Sequence, residues 1–134
     1  MSQLQVIIVT PEHEVLRTQA EYLSFPTKMG ELGIFPDHTP LVASLQPGII
    51  TVQKKGDNKD YYAVSNGYAE VSYEHTLIMA EACEQPSEID LERAQRSLAL
   101  GEELLLKEPD NAEAHRMRIM RALTRIAVRK LLQH

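Results

Sequence analysis

Apolar and polar positions alternate with a period of two up to Pro86, and with a helical period beyond it. Leu4, Val6 and Ile8 alternate with Gln5, Ile7 and Val9, which predicts a strand apolar on one side and semi-apolar on the other. Glu21–Phe25 alternates and is expected to stop at Pro26. Ile49–Gln53 is β-branched and follows the Pro47-Gly48 turn; Lys55-Gly56-Asp57-Asn58 is a second turn cluster, with Tyr61–Val64 as its return strand. Asn66-Gly67, both tolerant of positive φ, predicts a hairpin into Tyr68–Val71, and Thr76–Ala80 adds a further strand. In Gly30–Leu41, two glycines and two prolines bracket short apolar runs, which reads as strand, tight turn, rigid exposed loop and strand again. Many short strands with frequent turns predict an antiparallel sandwich or barrel.

Past Pro86, Ser87 is the expected N-cap, with Asp90 three residues on. Leu91, Ala94, Leu98 and Leu105 form an apolar stripe that ends at Pro109-Asp110-Asn111. A second helix is expected from about Ala112 to Leu132, with Leu123, Ile126 and Ala127 as its apolar face, extended by Ile119 or Met120. So short a break predicts an antiparallel two-helix hairpin. The expected organisation is a β-sandwich domain over 1–85 and an α-helical hairpin over 86–134, hinged at Gln85-Pro86.

Composition narrows the function. A net charge of −5, 5% aromatics and no Trp argue against nucleic acid, which needs a basic face or stacking platforms. No apolar run is long enough to span a bilayer, and the N-terminus carries no basic leader, so the expected compartment is cytoplasmic. Cys83, the one cysteine, reads as a small buried side chain. No Walker loop and no Gly-x-Ser-x-Gly elbow appear, and the five histidines (His13, His38, His75, His115 and His134) are dispersed without metal-ligand spacing. No catalytic or metal-binding residues are therefore assigned. Charge is uneven: residues 1–84 hold five Lys/Arg against eleven Asp/Glu, whereas 111–134 hold six against Glu113 alone. Arg118, Arg121, Arg125 and Arg129 share one helix face; like charges there repel, so the stripe points to an anionic partner, acidic protein or phosphate.

Three motifs carry a family resemblance. Gly30-Glu31-Leu32-Gly33-Ile34-Phe35-Pro36-Asp37-His38-Thr39-Pro40-Leu41 resembles the signature loop of the epsilon subunit of rotary F-type ATP synthases, bacterial type. Ala63-Val64-Ser65-Asn66-Gly67-Tyr68-Ala69-Glu70-Val71 is similar to its second signature, with Asn66 in place of a glycine. Glu88-Ile89-Asp90-Leu91-Glu92-Arg93-Ala94 is similar to the motif that opens its first C-terminal helix. The resemblance implies a non-catalytic central-stalk subunit, peripheral at the cytoplasmic face of the cell inner membrane. Its partners would be the gamma subunit, the c-ring and the catalytic alpha and beta subunits. Glu31 falls at the position associated with the c-ring and His38 at one associated with gamma. The sandwich would help couple ion flow to rotation. The hairpin would inhibit ATP hydrolysis when extended, its basic face Arg118, Arg121, Arg125 and Arg129 meeting an acidic segment. No cofactor is required, but the resemblance implies ATP as a regulatory ligand of the folded hairpin. The matching positions are Glu84, Ile89, Asp90, Arg93, Ala94, Arg121 and Arg125. Leu100 stands where ATP-binding members have another arginine, with Arg96 one turn earlier. The alternatives are a stand-alone binding module whose basic C-terminal helix docks on anionic membrane or an acidic protein, and a small hydrolase on an unfamiliar scaffold.

Overall fold

A computed structural model describes residues 3–133; Met1, Ser2 and His134 lie outside it. Ten strands form the N-terminal part: β1 (Leu4–Val9), β2 (Glu14–Ala20), β3 (Tyr22–Thr27), β4 (Gly30–Ile34), β5 (Leu41–Leu45), β6 (Gly48–Gln53), β7 (Lys59–Val64), β8 (Gly67–Val71), β9 (His75–Ala80) and β10 (Cys83–Glu84). Two helices follow, α1 (Leu91–Lys107) and α2 (Ala112–Lys130). The strand order is β10-β7-β6-β3-β5-β8-β9-β1-β2, with β4 on the free side of β3. β3 and β5 touch through the single pair Thr27↔Leu45, and there the sheet folds over into two layers. The pairs are antiparallel except β1 with β9, which run parallel. Alternate residues of both layers meet in one core that includes Leu4, Ile8, Leu23, Phe25, Ile50 and Ile78.

Two turn expectations are corrected. β3 continues through Pro26 instead of ending there. On one side of β3 the neighbour changes from β6, paired as far as Ser24, to β5 at Thr27. Pro26 falls in that change, where a missing N–H costs little, and its ring lies over Gly48, the close neighbour that lacks a side chain. Asn66-Gly67 is not a hairpin. β7 pairs with β6 and β10, β8 with β5 and β9, so the dipeptide crosses between layers. It is strapped to the chain after β9: Ser65 N–H donates to Ala82 O at 3.0 Å, Glu81 N–H to Asn66 O at 2.9 Å, and Ala82 N–H to Ser65 Oγ at 3.0 Å.

The helix start also differs. Ser87 lies in a single 3₁₀ turn, Pro86–Glu88, in which the Glu88 carboxylate accepts from Gln85 N–H at 3.0 Å. The cap of α1 is Asp90, whose carboxylate accepts from Arg93 N–H at 3.1 Å. The shift follows from Ile89, which stays extended and buried, so the helix begins one turn later. Leu98 and Leu105 are half-buried and Ala94 and Gly101 buried, as the α1 stripe requires. Pro109–Asn111 forms the break as a 3₁₀ turn.

The face expected to be buried on α2 is only partly the buried one: Ile119, Met120 and Ile126 are half-buried. Leu123 is 51% exposed and Ala127 is exposed, whereas His115, Ala122 and Val128 are buried. The helices approach closely at Gly101, where an added Cβ would lie 2.9 Å from Ile119 Cγ1 and 3.3 Å from Arg118 Cδ. Ile119 and the Arg118 stem thus fill the space that the missing side chain of Gly101 leaves open. A small second cluster, Ala63, Ile89 and Val128 with Ile49, joins the hairpin to the outer face of β6 and β7.

Candidate functional site

The contact between hairpin and sandwich is where the candidate residues converge. Strand alternation sends Cys83 into the core and Glu84 outward toward α2. Arg125 Nε donates to Glu84 Oε1 at 2.7 Å, with both side chains about a third exposed. Arg121, one turn before Arg125, shares a cleft with Glu84, Ser65 and Thr124. The cleft holds only about 10 Å³. The Thr124 hydroxyl is committed to Met120 O at 2.8 Å.

Of the seven nucleotide candidates the structure brings Glu84, Arg121 and Arg125 together. Ile89 is buried beside them in the apolar cluster, and Ala94 is buried on α1. Asp90 and Arg93 are exposed at the head of α1 and do not line the cleft. Arg96 is exposed beside Glu92 at 3.9 Å, and Leu100 is exposed. The arginine face is not a solvated one: Arg118, Arg121, Arg125 and Arg129 are all half-buried, Arg118 along Gly101 and Arg125 on Glu84.

The signature loop has its own rigid geometry. Thr27 Oγ donates to Gly30 O at 2.6 Å and accepts from Met29 N–H at 3.1 Å, and Gly30 supplies φ +115°. This turn holds Met29 at 97% exposure, with Glu31 exposed beside it on β4. Tyr22 lies across Gly33 against Phe35, ring centroids 4.8 Å apart. His38, expected to be exposed, is half-buried with Nδ1 2.6 Å from Thr39 O.

One surface went unread in the sequence. Val42, Tyr68 and Met79 stand exposed on the outer side of β5, β8 and β9, with Tyr68 directly opposite Met79. The available signal was a large apolar residue on the outward phase of strands whose inward phase is also apolar. A cleft of about 870 Å³ borders this surface at Tyr68 and Met79 and reaches Glu113 and Met117 of α2, away from Glu84 and Arg125. Among the described residues no group of three or more His, Cys, Asp or Glu could hold a metal ion. No helix among them is long and apolar enough to cross a membrane.

Burial pushes the Cys83 thiol up to about 12, with Glu88 and Glu84 adding to it, and pushes the Tyr62 phenol up to about 12, helped by Asp60. Below about pH 7.5 both groups keep their protons folded or unfolded, and stability does not respond. Above about pH 9 the unfolded chain releases the thiol proton and the folded chain does not, so stability falls by about 1.4 kcal/mol per pH unit. Tyr62 adds to the slope above about pH 10. Urea unfolding at a series of pH values checks this: Cys83→Ala removes the loss between about pH 9 and 10 and leaves the later one.

Comparison with known proteins places this geometry. Residues 3–86 match the family model described as ATP synthase, Delta/Epsilon chain, beta-sandwich domain. The chain is 37% identical to the ATP synthase epsilon chain of Macrococcus caseolyticus over 134 residues, covering 97% of this chain and 98% of that one. It is 38% identical to the ATP synthase epsilon chain of Shouchella clausii, covering 97% of each. Among solved structures, a chain of the Euglena gracilis mitochondrial ATP synthase, determined with OSCP, F1 and c-ring, superposes with TM-score 0.78 at 26% identity. That match covers 100% of this chain and 83% of the other.

Proposed function

Since the chain belongs to the family of ATP synthase epsilon chains, we propose that it is a non-catalytic central-stalk subunit with a detachable regulatory hairpin. One observation carries the reading: the sandwich and the hairpin do not share a core. The main core lies wholly within the strands, and among the described residues the buried apolar cluster that joins it to the helices is small, Ala63, Ile89 and Val128 with Ile49. Burial of so few side chains contributes on the order of a few kcal/mol, so docked and released forms lie close in free energy. The Arg125–Glu84 pair adds about 1 kcal/mol or less at its partial exposure. Release from the sandwich, followed by opening of the hairpin where Arg118 lies along α1, lets the half-buried arginines 118, 121, 125 and 129 meet an acidic segment of a catalytic subunit, and that contact inhibits ATP hydrolysis.

The sandwich supplies the rotor contacts. Met29 and Glu31 on the braced turn face the c-ring, and His38 and the exposed Val42–Tyr68–Met79 surface serve the gamma subunit. Through them the chain couples ion flow to ATP synthesis. It sits peripherally at the cytoplasmic face of the cell inner membrane, held by the complex.

A second reading, ATP as a regulatory ligand of the folded hairpin, is favoured by the convergence of Arg121 and Arg125 beside Glu84. The cleft is far smaller than the several hundred Å³ a nucleotide needs, so binding would first open the Arg125–Glu84 pair.

ATP hydrolysis by a matched catalytic core lacking this subunit tests both readings. Full-length chain lowers the rate several-fold and residues 1–86 bind without lowering it. Equal effects of the two sink the hairpin's role. Inhibition that weakens as ATP rises, and loses that dependence in Arg121→Ala, supports the ligand reading.

A further inference from the structure

One titratable ring is buried at the elbow where α1 turns into α2. His115 is 8% exposed, and it shares the α1-facing side of α2 with Ile119 and Ala122. Among the described residues its Nε2 has no hydrogen-bond partner, although the Glu108 carboxylate at the end of α1 stands 3.4 Å away. A buried ring nitrogen left unpaired costs stability, and such a group in a native fold calls for a reason.

The other charges near the elbow are engaged or turned away. Lys107 on α1 is held by Glu103 at 2.6 Å, and Arg116 on α2 faces Glu113 at 3.9 Å. Asp110 in the turn is exposed, and the Arg118 stem runs along Gly101. Among the described residues Glu108 is thus the carboxylate that reaches the ring. The C-terminus of α1 favours a cation here and the N-terminus of α2 disfavours one, so the two helix ends offset each other and Glu108 decides. Its side chain is about half exposed and free to close the last few tenths of an ångström.

We propose that His115 and Glu108 form a proton-operated clasp at the hairpin elbow. The protonated imidazole donates from Nε2 to the Glu108 carboxylate and ties the end of α1 to the first turns of α2. When the proton leaves, the attraction between the two charges is lost, a neutral ring offers at best an uncharged Nε2–H to the carboxylate, and the elbow loosens. The consequence, that the hairpin keeps its folded form more firmly as pH falls, rests on the inhibitory reading above. The clasp itself does not.

Amide hydrogen exchange of the full chain, corrected for intrinsic rates, is measured at about pH 8 and about pH 5.5. Protection across residues 107–116 rises about fivefold on acidification in the natural sequence and stays flat in Glu108→Gln and His115→Asn. A flat response in the natural chain, or an equal rise in Glu108→Gln, overturns the clasp. Glu108→Gln changes a half-exposed position, so the test stands even where His115→Asn folds poorly. Because the readout uses the chain alone, its failure leaves the inhibition reading intact, and a failed hydrolysis assay leaves the clasp intact.

Discussion

Gly67→Ala is expected to destabilise the chain by about 3–5 kcal/mol, a large share of the whole stability of a domain this size. Gly67 sits at φ +157°, where an added Cβ would overlap the Met79 carbonyl oxygen and stand 2.8 Å from Ala80 Cα. Both neighbours are backbone, and both belong to β9, which is paired to β8 on one side and β1 on the other. Neither can move without breaking a ladder, so the cost is not relieved by a side-chain rotation. Were Gly67 only a hairpin residue chosen for its φ, alanine would cost about 1 kcal/mol. Urea unfolding at neutral pH separates the two accounts. A loss near 1 kcal/mol would show that the crossover adapts and that the close approach is not what selects glycine. A loss of about 3 kcal/mol or more shows that the layer crossing depends on it. Gly56, with φ +73° and nothing within 4 Å of its added Cβ, is the control: its alanine variant pays only the backbone term.

The same two residues show what could be read in the sequence and what could not. Strand period placed β1, β3, β6, β7, β8 and β9, because each alternates against one core and alternation is local. It did not give β7 and β8 their partners. Asn66-Gly67 has hairpin chemistry, and only tertiary pairing decides that the chain changes layers there. β2 went unread because Glu14–Ala20 mixes charged, polar and apolar residues with only Ala20 fully buried, as an edge strand allows. On α2 the helical spacing of Leu123, Ile126 and Ala127 pointed to the inward face, yet Leu123 and Ala127 are exposed. Ala122 and His115 are buried on the helix, Ile119 and the Arg118 stem fill the close approach at Gly101, and Val128 meets the small patch on the sandwich. Arg121 and Arg125 were legible as a pair from their spacing. That Glu84 would meet one of them, 41 positions away, was available only through the motif resemblance. The buried ring of His115 had no sequence signal, since burial of a lone histidine depends on what covers it.

Val128→Asp is expected to release the hairpin and leave the sandwich folded. Val128 is fully buried, yet its contacts are Ala63, Ile89 and Ile49, outside the main core. The substitution removes about 1.5 kcal/mol of apolar burial and places a carboxylate in a site that solvates neither charge nor hydrogen bonds, a penalty of several kcal/mol. That exceeds what the small docking patch and the Arg125–Glu84 pair together contribute. The cheapest escape is therefore undocking, not global unfolding. Two measurements divide the outcomes. Tryptic cleavage after Arg121, Arg125 and Arg129, all half-buried in the docked form, is expected to accelerate by at least about tenfold. The unfolding transition of the sandwich, followed through Tyr62 in its core, is expected to stay in place. If both change together in a single cooperative transition, hairpin and sandwich form one folding unit. The few kcal/mol separating docked from released forms would then be the wrong scale, and with it the argument that the hairpin can act as a detachable arm. If only the cleavage changes, the same variant added to the catalytic core should inhibit hydrolysis more strongly than the natural chain, because the arm no longer has a docked state to return to.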